Sequence, residues 1–394
     1  MITEIRLQRF KAFKDTEPLP LARVNLLTGM NGRGKSSLMQ ALLLMAQSMD
    51  NEGAVDLLEL QGRYVRLGHF DDVMRKNIEP KTFSFSFKTD DEVDNDIYFE
   101  FEQMPGRSLY AQIGNLIVNG KSKMETVIVP AVRIAINCQV RVVGNNNVRI
   151  ANKAVKRVGE TSDILGLSQL KNIFFISADR QGAVDSVVDN DAWNIRKGAG
   201  VHGEYVLNML DAATAEQTEK INRLIAKIMG SGHVSTEKNP TTKEINLYID
   251  PSGKSKGFHP SNVGFGYSYL LSILTTMVMA PAGSKIFIEN PEAHLNPKAQ
   301  AVLTEEIIRM ACENNFQIFV ESHSDHVLHR CQISVLQRKI NKEDLSVLFF
   351  DFSDDEPNLS TVRKLEVTDS GHIRRPPEGF FDQAEKDLAV LIGL

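Results

Sequence analysis

The apolar positions of this 394-residue chain change their spacing several times, and each change marks a different kind of element. Near the start, ITEIRL (2–7) and ARVNLLT (22–28) read as short strands; the second feeds a Gly-rich turn and then an apolar stretch over 37–46 that predicts a helix. From about 80 to 150 the pattern alternates in TFSFSFK, IYFEFEQ, VIVPAVRIAI and CQVRVV, broken by the turns TDDEVDND and VGNNN. Alternation interrupted by turn residues predicts antiparallel β structure. KNIFFIS (171–177) returns to a buried-strand pattern, 203–230 carries helical spacing, and 231–261 is polar and rich in Gly, Ser and Pro, as in a surface hairpin. A helix over 267–279, the strand KIFIE (285–289), a helix over 297–313 and the strand QIFVES (317–322) complete the pattern. Strands alternating with helices predict an α/β fold built on a largely parallel sheet.

Composition narrows this picture. A chain of this length buries a core without covalent staples, and its three cysteines, Cys138, Cys312 and Cys331, form neither a disulfide framework nor a Cys-rich zinc ribbon. The opening MITEIRLQRFKAF carries charges every few residues, and no window reaches the ~18 uninterrupted apolar residues of a membrane span, so a soluble, cytoplasmic protein without a membrane partner is expected. A net charge of -5 gives no global attraction to nucleic acid; contact with DNA or RNA needs local patches or a partner. Arg149, Lys153, Lys156, Arg157, Arg374 and Arg375 are candidates, although ordinary solvated surface explains them better. The acidic run Asp90 to Asp96 lies consecutively in one turn and reads as a solvated hairpin tip rather than a metal site.

GMNGRGKSS (29–37) fits G-x-x-x-x-G-K-[ST] and lies between a predicted strand and a predicted helix, the context that gives this motif its meaning. Glycines let backbone N–H groups converge on phosphate oxygens, and the helix N-terminus adds partial positive charge. Gly29, Asn31, Gly32, Arg33, Gly34, Lys35, Ser36 and Ser37 are therefore expected to bind ATP, with Lys35 on the β and γ phosphates and the Ser36 hydroxyl on Mg²⁺. A phosphate loop of this kind needs a carboxylate at the end of a neighbouring strand, and KIFIE supplies Glu289.

Beyond Glu289 the chain resembles ABC-type ATPases of the RecF, SMC and OLD group, in particular a compact bacterial branch with a C-terminal GFFDQ element. The stretches that carry the resemblance are GMNGRGKSS, SNVGFGYS (261–268), ENPEAHLNP (289–297), VESHSD (320–325) and EGFFDQ (378–383), with weaker matches in ISADRQG, GEYVLNML and LQGRYVRLGHFDDV. The resemblance implies an ABC-type P-loop NTPase head with a mixed sheet. Its expected parts are an N-terminal ATPase lobe (1–80), a β-rich insertion (81–165), a helical and hairpin lid (166–262), a C-terminal ATPase lobe (263–350) and a tail element (351–394). It also implies a homodimer or higher homo-oligomer closing head to tail on ATP, with Gly264, Gly266 and Ser268 facing the γ phosphate of the opposite head and His323 as the switch histidine. His294 is expected to be structural or interfacial. A competing reading places His323, His326 and His329 on one helix face as metal ligands.

Where much of the family has a second carboxylate, this chain has Asn290, which orients water but accepts no proton. Two residues on, Glu292 is the candidate base or water positioner, its alternative role being a carboxylate at a helix N-terminus. The expectation is a slow ATPase with Glu289 on magnesium. OLD-type relatives append a nuclease domain for which the residues after GFFDQ leave no room. A separately encoded effector, a nuclease by that analogy, acting in phage defence or DNA repair is thus implied. The alternatives are a non-hydrolytic ATP-dependent scaffold, which Asn290 favours, and a RecF-like DNA-binding head.

Overall fold

The computed structural model describes residues 1–49, 55–76, 78–130, 152–158, 164–189, 198–255, 257–353, 356 and 359–392. Cys138, Arg149, VGNNN and much of the last two alternating stretches lie outside the described residues. The chain divides into two compact units, residues 1–19, 40–171 and 352–361 in one and 20–39, 172–351 and 362–394 in the other.

The first unit is an antiparallel β structure. Strand Ile2–Phe10 pairs with Thr82–Thr89, which pairs with Asp96–Gln103, which pairs with Tyr110–Val118. Alternation in TFSFSFK and IYFEFEQ sends every second side chain to one face. Phe83, Phe85, Phe87, Phe99 and Phe101 are buried there with Phe10, their rings in edge, tilted and stacked contacts. The acidic run forms the tip between Thr82–Thr89 and Asp96–Gln103, where the Asp91 carboxylate accepts from the amides of Val93 and Asp94. Met124–Pro130 pairs with Asn152–Val158, the strand that carries Lys153, Lys156 and Arg157.

The second unit is built on a six-stranded sheet. Its strands in chain order are β1 (Val24–Gly29), β2 (Ile173–Ile176), β3 (Lys285–Glu289), β4 (Gln317–Glu321), β5 (Leu345–Phe352) and β6 (Ser360–Leu365), arranged as β2-β3-β4-β1-β5-β6. The first five pair in parallel. Continuous apolar runs such as IFFI and IFI suit strands covered on both faces. Register brings the C-terminal residues of β3 and β4, Glu289 and Glu321, side by side, next to Leu27 near the end of β1.

The unit's helices are α1 (Lys35–Ser48), α2 (Val206–Ala212), α3 (Ala215–Met229), α4 (Phe265–Met279), α5 (Pro297–Glu313), α6 (Asp325–Leu336) and α7 (Gln383–Leu391); α1 runs on into the first unit. α3 shows why these segments form and stop. A Thr214/Gln217 capping box starts it, Ile221, Leu224, Ile225 and Ile228 make one buried stripe, and Gly230 at φ 87° ends it. Strands Ser186–Val188, His233–Lys238 and Glu244–Asp250 form a three-stranded antiparallel sheet whose Val234, Ile245, Leu247 and Ile249 join the same core as α3, α4 and β3.

Candidate nucleotide site

The turn from β1 into α1 needs its glycine at position 29. Gly29 has φ 130°, and a Cβ there would lie 2.2 Å from the Phe350 carbonyl oxygen on β5. Gly32, at φ 76°, faces open space. Lys35 is 3% exposed and folds back over its own loop, Nζ donating to the carbonyls of Gly29 (3.0 Å) and Met30 (2.9 Å). Burial holds its pKa below the usual lysine range. Asn31 is exposed and Ser37 buried, while the Arg33 guanidinium lies 3.9 Å from the Asp351 carboxylate.

The two strand-end carboxylates are held differently, and Glu321 is the one that touches the loop. Glu289 Oε2 accepts from the Ala178 amide (2.9 Å) and the Ser177 hydroxyl (3.2 Å), contacts supplied by the turn after β2. The Ser36 hydroxyl donates to Glu321 Oε2 at 3.0 Å. Desolvation raises the pKa of both, and Glu289 raises that of Glu321 further. The donor set of one hydroxyl and two carboxylates is all hard oxygen, which fits Mg²⁺ held by few protein ligands beside substrate phosphates.

After Glu289 the backbone turns sharply. Asn290 adopts φ 44°, a left-handed conformation that asparagine tolerates better than most residues, while its amide donates to the Glu321 carbonyl. Arg180 fixes the outer side of this turn. Only 1% exposed, it donates from Nη1 to the carbonyls of Ser177 (3.0 Å) and Glu289 (2.8 Å) and from Nη2 to that of Asn290 (2.9 Å). Its guanidinium carbon lies 5.2 Å from the Tyr269 ring centroid, and desolvation pushes its pKa down to about 10. The turn delivers Glu292 to β4: Glu292 Oε1 accepts from the His323 amide at 3.0 Å. Asn290 Oδ1, Glu292 Oε2 and Arg180 Nε are buried without a hydrogen-bond partner. Buried polar atoms are nearly always satisfied, so this cluster is open to a water or ligand.

His323 lies in the loop after β4, one residue before the α6 N-cap Ser324, with much of its surface open to solvent; partial desolvation of its ring and repulsion from Lys35 lower its pKa. It therefore does not share a helix face with His326 and His329, and among the described residues no three His, Cys, Asp or Glu side chains converge to hold a metal. Of the signature-like residues, Gly264 and Phe265 are exposed, whereas Gly266 and Ser268 are buried within the first turn of α4. Gly264 is the N-cap of α4, and among the described residues a Cβ there would meet nothing within 4 Å. His294, at φ 60°, sits against Tyr269 (4.4 Å) and Phe265 (5.7 Å). Arg374 pairs with Glu366 at 2.8 Å. The tail segment 379–382 lines a cleft of about 360 Å³ together with Thr28, Gly29, Met30 and His323.

Sequence reasoning missed Arg180 and Glu321. The signal for Glu321 was in view: KIFIE and QIFVE share one pattern and both end on glutamate, as register-matched neighbours of a parallel sheet would.

A parallel sheet with a phosphate loop at the C-terminal end of one strand and acids at the ends of its neighbours defines a P-loop ATPase head. The AAA ATPase domain family matches residues 1–328, and the chain belongs to that family. A second family, described as a protein of unknown function (DUF3696), matches residues 340–391, which include 378–383. No curated protein matches the chain. Among solved structures, the chain is similar to an SMC head bound to the C-winged helix domain of ScpA (15% identity, 93% of this chain and 97% of that chain covered, TM-score 0.53). It is also similar to the Pyrococcus furiosus SMC head with an extended coiled coil bound to the C-terminal domain of ScpA (12% identity, 100% and 99% covered, TM-score 0.52). The fold is that of an SMC-type ATPase head.

Proposed function

We propose that this ATPase is a dimeric nucleotide switch in which Glu292 positions the attacking water. The observation that carries this is the pairing of a Glu292 oxygen with the His323 amide, leaving its other oxygen and Asn290 Oδ1 buried and unsatisfied. Phosphoryl transfer depends mainly on positioning and charge stabilisation. In this reading Lys35 releases its own loop carbonyls to bind phosphate, Ser36 and Glu289 hold Mg²⁺, and Glu292 with Asn290 orients water toward the γ phosphate that His323 senses. Magnesium, when bound, supplies neutralising charge to the phosphates. A shared positioning task, with only one member able to accept a proton, makes turnover slow.

Gly264 is the place where a second copy would dock in this reading: it is the exposed N-cap of a 15-residue helix, whose free backbone N–H groups would meet the second copy's nucleotide. The switch would gate a separate effector, a nuclease by analogy with relatives that carry one, in phage defence or DNA repair; the support here is analogy.

The test is phosphate release and oligomeric mass with ATP and Mg²⁺ for the wild type, Lys35→Ala, Glu289→Gln, Asn290→Ala and Glu292→Gln. The reading expects Glu292→Gln to trap an ATP-bound dimer while Asn290→Ala slows turnover only mildly. ATP-driven assembly without turnover, abolished by Lys35→Ala, would instead establish the non-hydrolytic scaffold that Asn290 favours. Strongly salt-dependent DNA binding by the purified protein would favour a RecF-like head.

A further inference from the structure

Resting on the nucleotide-site reading above, we infer that Glu321, the glutamate of VESHSD, is a metal-holding residue that shares the magnesium site with Glu289. Three observations converge on it. The Ser36 hydroxyl, the group a phosphate loop offers to magnesium, is hydrogen-bonded to Glu321 at 3.0 Å, whereas Glu289 is held by Ser177 and Ala178 on the far side. Glu289 and Glu321 are register partners at the ends of adjacent parallel strands, which lie roughly 4.8 Å apart. Among the described residues, neither carboxylate has an ion-pair partner within 4 Å, although both are half-buried.

The two carboxylates repel each other, and Lys35 and Arg180, the cations that act on them, are hydrogen-bonded to backbone carbonyls rather than paired with either; a divalent cation held by both would relieve the repulsion. Magnesium is commonly held by one or two carboxylates plus substrate phosphates and keeps several waters, so two glutamates and one hydroxyl suffice. Geometry also separates Glu321 from Glu292: the first is engaged by the phosphate loop, the second by the His323 amide. Thus Glu321 acts on the metal and Glu292 on the water. The chain therefore has a carboxylate pair at its metal site, but the second member comes from the neighbouring strand rather than from position 290.

The experiment uses full-length protein and two probes: a fluorescent, non-hydrolysable ATP analogue, and Mn²⁺ followed by electron paramagnetic resonance. Wild type, Glu321→Gln, Glu321→Asp and Lys35→Ala are compared, each first shown to melt within a few degrees of wild type. The expected result is that Glu321→Gln binds the analogue in EDTA within about twofold of wild type. Its half-saturating Mn²⁺ with the analogue bound should rise by at least about tenfold, and Glu321→Asp should fall in between. Unchanged Mn²⁺ affinity and spectrum in Glu321→Gln overturn the inference. So does a loss of turnover of about 10²-fold or more with Mn²⁺ binding intact, which would make Glu321 part of the water machinery. Failure of wild type to bind the analogue at all would instead defeat the underlying nucleotide-site reading, and the two failures are distinct.

Discussion

Arg180 fixes the turn that follows Glu289 without touching the phosphate loop, which makes it the sharpest test of how the site is built. Replacing it with leucine removes donors from three carbonyls. The Ser177 carbonyl keeps a backbone bond from the Arg180 amide and the Asn290 carbonyl keeps one from Ala293, so the loss per acceptor belongs at the low end, about 1 kcal/mol each. Loss of the guanidinium over Tyr269 adds about 0.5–1 kcal/mol. The expected destabilisation is about 3–4 kcal/mol, read from urea unfolding by circular dichroism. Arg180→Lys restores one donor group to a three-carbonyl site and should recover about 1 kcal/mol of it. The functional readout separates positioning from folding. In Arg180→Lys, nucleotide affinity should stay within a few-fold of wild type while kcat falls by about 10²-fold, because Glu292 and Asn290 lose their placement and the loop around Lys35 does not. Arg180→Leu unfolding within 1 kcal/mol of wild type, or Arg180→Lys turning over at the wild-type rate, would refute the account.

Two further expectations concern the frame of the site. Gly29→Ala places a Cβ 2.2 Å from the Phe350 carbonyl at a φ that L residues avoid, so it should cost about 3 kcal/mol or more and abolish nucleotide binding; a soluble Gly29→Ala protein with wild-type affinity contradicts the assigned turn. Cys331 is buried and its thiol is pushed up to about 12, whereas Cys312 is exposed. Iodoacetamide under native conditions should therefore label Cys312 and spare Cys331 in peptide maps, and equal labelling would show that α6 opens far more readily than its packing implies.

Much of the second unit's framework was legible because local patterns determine it. The strand at 285–289 and the helix at 297–313 fall where their spacing and the Asn-Pro start place them, and Asn296 caps α5 by accepting from the Ala299 amide. The phosphate loop was legible for the same reason, since its spacing is contiguous. What the sequence did not show is what register creates. Glu321 gains its meaning from lying beside Glu289 and beneath Ser36, residues 32 and 285 positions away along the chain. Arg180 gains its meaning from carbonyls more than 100 positions away, and backbone acceptors leave no trace in side-chain chemistry. From the sequence, Asn290 is a missing carboxylate that can still orient water, with no reason for asparagine at that position. The left-handed turn supplies the reason it lacked: asparagine suits that conformation, which carries the chain on to Glu292.

The sheet order has a consequence for how the protein is made. β1 leaves the ribosome before both of its sheet neighbours, since β4 and β5 are encoded roughly 290 to 320 residues later. At ~5–20 residues per second, this apolar strand spends about 15–60 s of synthesis with both edges unpaired. Until β4 and β5 have been made, the nascent chain depends on whatever shields β1 from other chains.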